Sequence, residues 1–229
     1  MQTTDLATPA YPVRMTLSPP AGSTRFWAVP LIGFLIKWLI LIPHLIVLYV
    51  LGIALFFAEL VIWIPVLFTA RYPDWAFGLV AGYLRWLTRI MLYFYGLTDA
   101  YPAFSFDASG DMFIERPASS SRFFAILIIG GIVRYILLIP HYIILYALSI
   151  AVGACQLVIW VWVLFGGQYP SWAFTLVGGT VTWTTRVYAY FFGLTDRYPP
   201  FSFDYTAPAL PTYETRTVGP SVGPSEVSG

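Results

Sequence analysis

The 229-residue chain contains no asparagine, a single lysine, a single cysteine and two histidines, and only 10% of its residues are charged. Without Asn there is no Asn-x-Ser/Thr glycosylation acceptor. One cysteine, Cys155, rules out an intrachain disulfide and a Cys/His zinc pattern. Set in an apolar run, it reads as a small buried hydrophobe. Twelve basic residues against eleven acidic ones leave a net charge of +1. That is no surplus for neutralising phosphates, so nucleic acid is excluded as an expected partner. Eleven of the twelve basic residues are Arg, Lys37 being the exception. With the missing Asn, this is the bias of a GC-rich bacterial genome. Absent too are a Gly-x-Ser-x-Gly elbow, a phosphate-binding glycine loop, a His-Glu-x-x-His helix and paired carboxylates on one helix. The chain is therefore read as not an enzyme, and no cofactor is expected.

What is abundant is apolar surface. Hydrophobic residues make up 59% and aromatics 19% of the chain, with a mean hydropathy of +0.74. Soluble domains are about 45–50% apolar and about 25% charged. A core of this size cannot hide the excess from water, which points to an integral membrane protein. Residues 1–24 are polar and the apolar run from Phe26 lacks a small-residue cleavage site, so no cleavable signal peptide is expected.

The chain is one unit written twice at an offset of 97 residues. Residues 37–107 align without a gap on 134–204, with 40 identities in 71 positions. Each copy carries three apolar segments: 26–42, 45–69 and 75–98, recurring at 123–139, 142–166 and 172–195. Pro43 and Pro140 separate the first two, because proline in an apolar run kinks or ends a helix. The third segment aligns Gly78, Gly82, Arg85 and Arg89 on one helical face, and Thr175, Gly179, Thr182 and Arg186 in copy two. It reads either as an amphipathic helix at the interface or as a spanning helix packed through small residues.

The expected fold is thus an all-α integral membrane protein of two tandem three-helix repeats, each with two spanning helices and one amphipathic or spanning helix. The boundaries are a polar segment 1–25, repeat one at 26–107, a linker 108–122, repeat two at 123–204, and a Pro/Gly/Ser-rich disordered tail 205–229. The Tyr-Pro pairs after the second and third segments read as an aromatic belt with helix stops. The Phe-Ser-Phe-Asp strings and residues 11–17 alternate like short extended segments able to pair on the membrane surface.

Several strings together carry a resemblance. Tyr11-Pro12-Val13-Arg14-Met15-Thr16-Leu17, Lys37-Trp38-Leu39-Ile40-Leu41-Ile42-Pro43-His44, Leu67-Phe68-Thr69-Ala70-Arg71-Tyr72-Pro73 and Leu194-Thr195-Asp196-Arg197-Tyr198-Pro199-Pro200-Phe201-Ser202 resemble an uncharacterised bacterial membrane-protein family. This is domain of unknown function 4389, common in actinobacteria. The resemblance covers about 11–107 and again 120–204. Copy two departs from it by placing Gln168 where copy one has Arg71 and by lacking a clear opening strand. The resemblance implies a membrane location and carries no activity or site.

Ionisable residues inside apolar runs are costly and so are candidates for function. Lys37 and Arg134 lie within snorkelling reach of an interface. His44 and His141 read as hydrogen-bonded interfacial histidines; two from two repeats are also the material for one shared metal or haem site. Glu59, mid-way along its segment, needs a partner or a proton. Arg89 is the expected partner, with Gln156 and Arg186 repeating the clamp in copy two; the rival role for Glu59 is proton-coupled transport. Arg85 joins these candidates.

The expected function is a non-enzymatic scaffold or accessory subunit of a membrane assembly. The alternative is a small transporter or channel with its path between the repeats, and an enzyme handling lipids is the weakest reading. Partners are the bilayer and a membrane protein or a second copy. The location is the cell membrane, multi-pass, with cytoplasmic termini. If the third segment is interfacial, both copies face the same way; if it spans, they are inverted.

Overall fold

A computed structural model describes residues 11–20, 22–30, 32–107, 112–126 and 129–205. From residue 206 the tail read as disordered lies outside them. The described chain is mostly helical, with four α-helices and a two-stranded ribbon. The N-terminal segment holds strand β1 (Val13–Met15) and runs through a short 3-10 turn (Arg25–Ala28) into repeat one, which holds α1 (Ile32–Thr69) and α2 (Asp74–Phe94). The linker carries β2 (Met112–Ile114), and repeat two follows with α3 (Ile129–Gly166) and α4 (Ser171–Phe191).

Each repeat has two helices where three segments were expected. The first and second segments join into one 38-residue helix that runs through Pro43, and through Pro140 in copy two. Pro43 removes the N–H that would reach the Leu39 carbonyl, but only that one. Beside the gap, the Tyr101 hydroxyl donates to the Ile40 carbonyl at 3.3 Å, and Tyr198 does the same for Leu137 at 2.8 Å. The second Tyr-Pro of each copy thus braces the proline turn of its own long helix.

α1 buries one seam: Gly33, Lys37, Leu41, His44, Leu48, Leu55, Ile62 and Val66. Spacings of three, four and seven are those of a helix with a single packed stripe. Apart from the half-buried Glu59, most of the rest of its circumference is apolar, with Phe56, Phe57 and Phe68 among its exposed residues. α3 repeats the pattern. Both helices are long and apolar enough to cross a membrane, and only 17% of the most apolar window of each is buried. α2 and α4 are more deeply buried, with buried residues in every turn of their middle and later parts, and pack on each other.

Tight C-terminal turns end α2 and α4. Gly96 and Gly193 take φ of +78° and +72°, the left-handed conformation that glycine adopts without a Cβ penalty. The next residue's N–H returns to the helix: Leu97 to the Leu92 carbonyl, Leu194 to that of Ala189, each at 2.9 Å. These bonds, with those from each glycine to Tyr93 or Tyr190, form a Schellman motif. The Gly-Leu-Thr-Asp string is this helix stop.

Copy two does contain an opening strand. β1 and β2 pair antiparallel, with Met15 opposite Met112. Met-Phe-Ile hides its alternation in three apolar residues, and only the pairing shows that Met112 and Ile114 face inward. The Phe-Ser-Phe-Asp strings form no strand pair among the described residues; they lie against α2 and α4. A Cβ on Gly82 would meet Phe106 Cβ at 2.5 Å, and one on Gly179 would meet Phe203 Cβ at 2.5 Å.

The repeats interlock about a pseudo-twofold axis that exchanges residues i and i+97. The Thr88 and Thr185 hydroxyls hydrogen-bond at 3.1 Å where α2 crosses α4. The backbone N–H of Ser23, ahead of α1, donates to the Gly167 carbonyl just past α3, and that of Ser120 donates to Ala70 just past α1. Each repeat's leading strap therefore closes the other repeat's long helix.

Candidate functional site

Lys37, Arg134 and Gln156, three of the buried polar residues, mark two equivalent junctions between the repeats. The first joins Lys37 and Asp99 of repeat one to Gln156 and Tyr169 of repeat two. Lys37 is not snorkelling. It is buried, its ammonium donates to the Tyr93 carbonyl at 2.9 Å, and it lies 4.8 Å from the Tyr93 ring centre. A cation at the carbonyl end of α2 complements the helix dipole. Asp99 accepts the backbone N–H of Thr24 at 2.6 Å, tying in the strap. The Tyr169 hydroxyl donates to the Tyr95 carbonyl at 3.3 Å, and the Gln156 amide faces the same oxygen at 3.5 Å. Between them lies a cavity of about 20 Å³, room for one water molecule.

The second junction joins Arg134 and Asp196 of repeat two to Glu59 and Tyr72 of repeat one. Arg134, expected to snorkel, is likewise buried. It donates to the carbonyls of Tyr190 and Thr195 and forms an ion pair with Asp196. The Trp63, Phe124 and Tyr190 rings surround its guanidinium at 4.4–5.4 Å. Asp196 accepts the N–H of Ser121 at 2.6 Å. Where the first junction leaves space, here the Trp63 ring closes over Gly193, 2.3 Å from where a Cβ would stand.

The expected clamps between Glu59 and Arg89, and between Gln156 and Arg186, are not formed. The Tyr72 hydroxyl lies 3.3 Å from Glu59 Oε1 and 3.2 Å from the Phe192 carbonyl. Glu59 Oε2 is buried with no hydrogen-bond partner among the described residues. Arg89 reaches the hydroxyl and carbonyl of Ser105. Arg186 binds Ser202 Oγ at 3.1 Å, the Asp204 carbonyl at 2.6 Å and, through Nε, the Val13 carbonyl at 3.3 Å. The two arginines pin the Phe-Ser-Phe-Asp strings, and in copy two also β1. Arg85 lies one turn before Arg89 on α2, with its Nε buried.

Tyr72 and Tyr169, read as belt residues, are buried instead. Each caps the last turn of the other repeat's inner helix. Burial drives both phenols well above their usual range, and the neighbouring Glu59 adds to this for Tyr72. Burial also raises Tyr11, against the pull of Arg186 and Arg197.

The histidines occupy separate cages, each built by its own repeat, so they do not form one shared site. Trp86 Nε1 donates to His44 Nδ1 at 3.0 Å, and Trp183 Nε1 to His141 Nδ1 at 2.8 Å. His44 stacks on Phe104 with ring centres 3.7 Å apart, and His141 on Phe201 at 3.9 Å. A neutral imidazole accepting at Nδ1 carries its proton on Nε2. Among the described residues no group of three or more His, Cys, Asp or Glu could hold a metal ion.

Fold and junctions define a class: a duplicated helical protein whose halves are bolted together by buried polar residues and whose outer helices expose apolar surface. The chain belongs to the DUF4389 family, a domain of unknown function, which matches twice, at residues 32–105 and 130–202. No curated protein and no solved structure matches it.

Proposed function

We propose that the chain is a non-enzymatic membrane scaffold or accessory subunit in the cell membrane. One observation carries this reading. The polar residues set in its apolar runs are engaged in joining elements: Lys37 and Arg134 to helix ends, Tyr72 and Tyr169 across repeats, His44 and His141 to tryptophans. A rigid interlocked body with extensive apolar outer faces is what a scaffold presents to lipid and to a partner. Gentle purification from the native membrane tests it. A protein recovered in fixed proportion supports the scaffold; a chain recovered alone, or only with a bound ion, counts against it.

A second reading, a small transporter, is favoured by the buried, unpartnered Oε2 of Glu59. Glu59→Gln separates the two. A scaffold tolerates it, because Gln156 already fills the equivalent place. A proton-coupled transporter folds normally with it and loses its flux.

A further inference from the structure

We propose that the chain enters a bilayer from one side only, with α1 and α3 lying in the plane of the membrane and the β1–β2 ribbon facing water. This rests on the membrane reading above and goes beyond it, because it replaces the multi-pass crossing expected of two long apolar helices.

The position of the pseudo-twofold axis carries the argument. It passes between the Thr88 and Thr185 hydroxyls and between Met15 and Met112, the paired residues of the ribbon. The long helices run antiparallel across it. The strap ahead of α1 bonds to the residue after α3, and the strap ahead of α3 to the residue after α1. The Phe34 ring near the start of α1 lies 5.6 Å from that of Trp160 late in α3, and the Trp63 ring late in α1 lies 5.4 Å from the Arg134 guanidinium near the start of α3. A twofold axis that relates two antiparallel helices lies perpendicular to both.

Two orientations follow. If α1 and α3 cross the bilayer, the axis lies in the membrane plane at mid-depth, and the ribbon lies there with it. Arg14 points outward from that ribbon and is exposed. Among the described residues no third strand pairs with either edge of the ribbon. Hydrocarbon excludes lipid-exposed sheet edges and makes a charge at its centre expensive. If the axis lies along the membrane normal, the ribbon sits in water and the long helices lie flat.

Length agrees with the second orientation. Thirty-eight residues at about 1.5 Å each reach about 57 Å, close to twice the roughly 30 Å of a hydrocarbon core. To fit by tilting, the helix would need about 58° from the normal, beyond the 0–40° range of known spans. Within their 38 residues neither α1 nor α3 has an exposed charge: Lys37 and Arg134 are buried and Glu59 is turned inward, and the exposed Arg25, Arg71 and Arg122 stand only at the far ends of the helices. Exposed charges such as Arg14, Asp107, Glu115 and Asp204 stand on the ribbon and the extended strings. The ribbon packs on α4, and the long helices pack on α2 and α4, so the inner pair separates water-facing from lipid-facing parts.

Gly22 and Ser119 are equivalent by the axis and stand beside opposite ends of the long helices, both exposed. A Cβ at Gly22 meets nothing within 4 Å. The test uses Gly22→Cys and Ser119→Cys separately, in the full chain on a Cys155→Ala background. Alanine is safe there because Ala58 fills the equivalent place. An impermeant maleimide is applied to right-side-out and inverted membrane vesicles. Flat insertion predicts that both cysteines label from the same side and neither from the other. Labelling from opposite sides overturns it. Depth probes at Ile46→Cys, Phe57→Cys and Phe68→Cys give the second reading: one common depth is expected, and a depth that passes through the bilayer centre overturns the proposal. Release of the unmodified chain by alkaline washing would sink the membrane reading itself, independently of both measurements.

Discussion

At the residue scale, duplication supplies an internal control, because each buried polar residue has a counterpart doing the same task with different chemistry. Lys37 and Arg134 both reach the carbonyl end of an inner helix, so Arg134→Lys should be well tolerated. Arg134→Met leaves the half-buried Asp196 without its cation, and should cost a sizeable part of the ~3–5 kcal/mol that breaking a fully buried pair costs. Thermal unfolding in detergent checks both, and equal losses would mean that the cation's charge does no structural work. The tyrosines set a limit at high pH. The phenols of Tyr11, Tyr72 and Tyr169 are raised in the folded chain. Their contribution is fully present below the unfolded value of about 10 and is lost as pH rises above it. Alkaline titration followed by phenolate absorbance should show a late group of tyrosines that ionises only as the protein unfolds. Buried ionisable residues were visible in the sequence as candidates. Their partners were not, because Glu59 and Arg89 look matched by charge while their elements hold them on different faces.

At the element scale, the third apolar segment was legible because small residues and arginines recur on one helical face. The reason for the small residues needed the structure: Gly82 and Gly179 admit the aromatic strings to the backbone of α2 and α4. Gly82→Ala should therefore cost about 1–3 kcal/mol by overpacking. A second change, Phe106→Gly, removes both the ring and the Cβ that the new methyl would meet, and should make the alanine nearly free of further penalty. A double-mutant cycle in detergent checks this, and strictly additive losses would show that the contact is not limiting. The break expected at Pro43 does not form because proline's local effect is small beside what its neighbours supply. One lost backbone bond is a small fraction of a 38-residue helix, and Tyr101, distant in sequence, donates beside the gap. No pattern near Pro43 announces that brace; the echo of Tyr-Pro at both ends of the third segment is the only hint.

At the scale of the whole molecule, the repeat offset turns out to be a symmetry operation. A gapless alignment implies two similar units, but it does not say whether they stand side by side or exchange parts. Here they exchange parts: straps cross to the opposite long helix, Tyr72 and Tyr169 cap the opposite inner helix, and β1 completes its pairing only with β2. Neither half can satisfy all of its own helix ends: the residues after α1 and α3, and the Tyr95 and Phe192 carbonyls, are bonded by the other half. Residues 1–107 expressed alone should therefore be unstable in the membrane and degraded, as should 108–229. Expressed together they should associate, because the contacts that cross between halves are buried and need no continuous chain. Co-purification through a tag on one half, with protease resistance restored to both, is the expected result. Two halves that are each stable alone and fail to associate would mean that the crossed contacts are incidental and that each repeat is a self-sufficient unit.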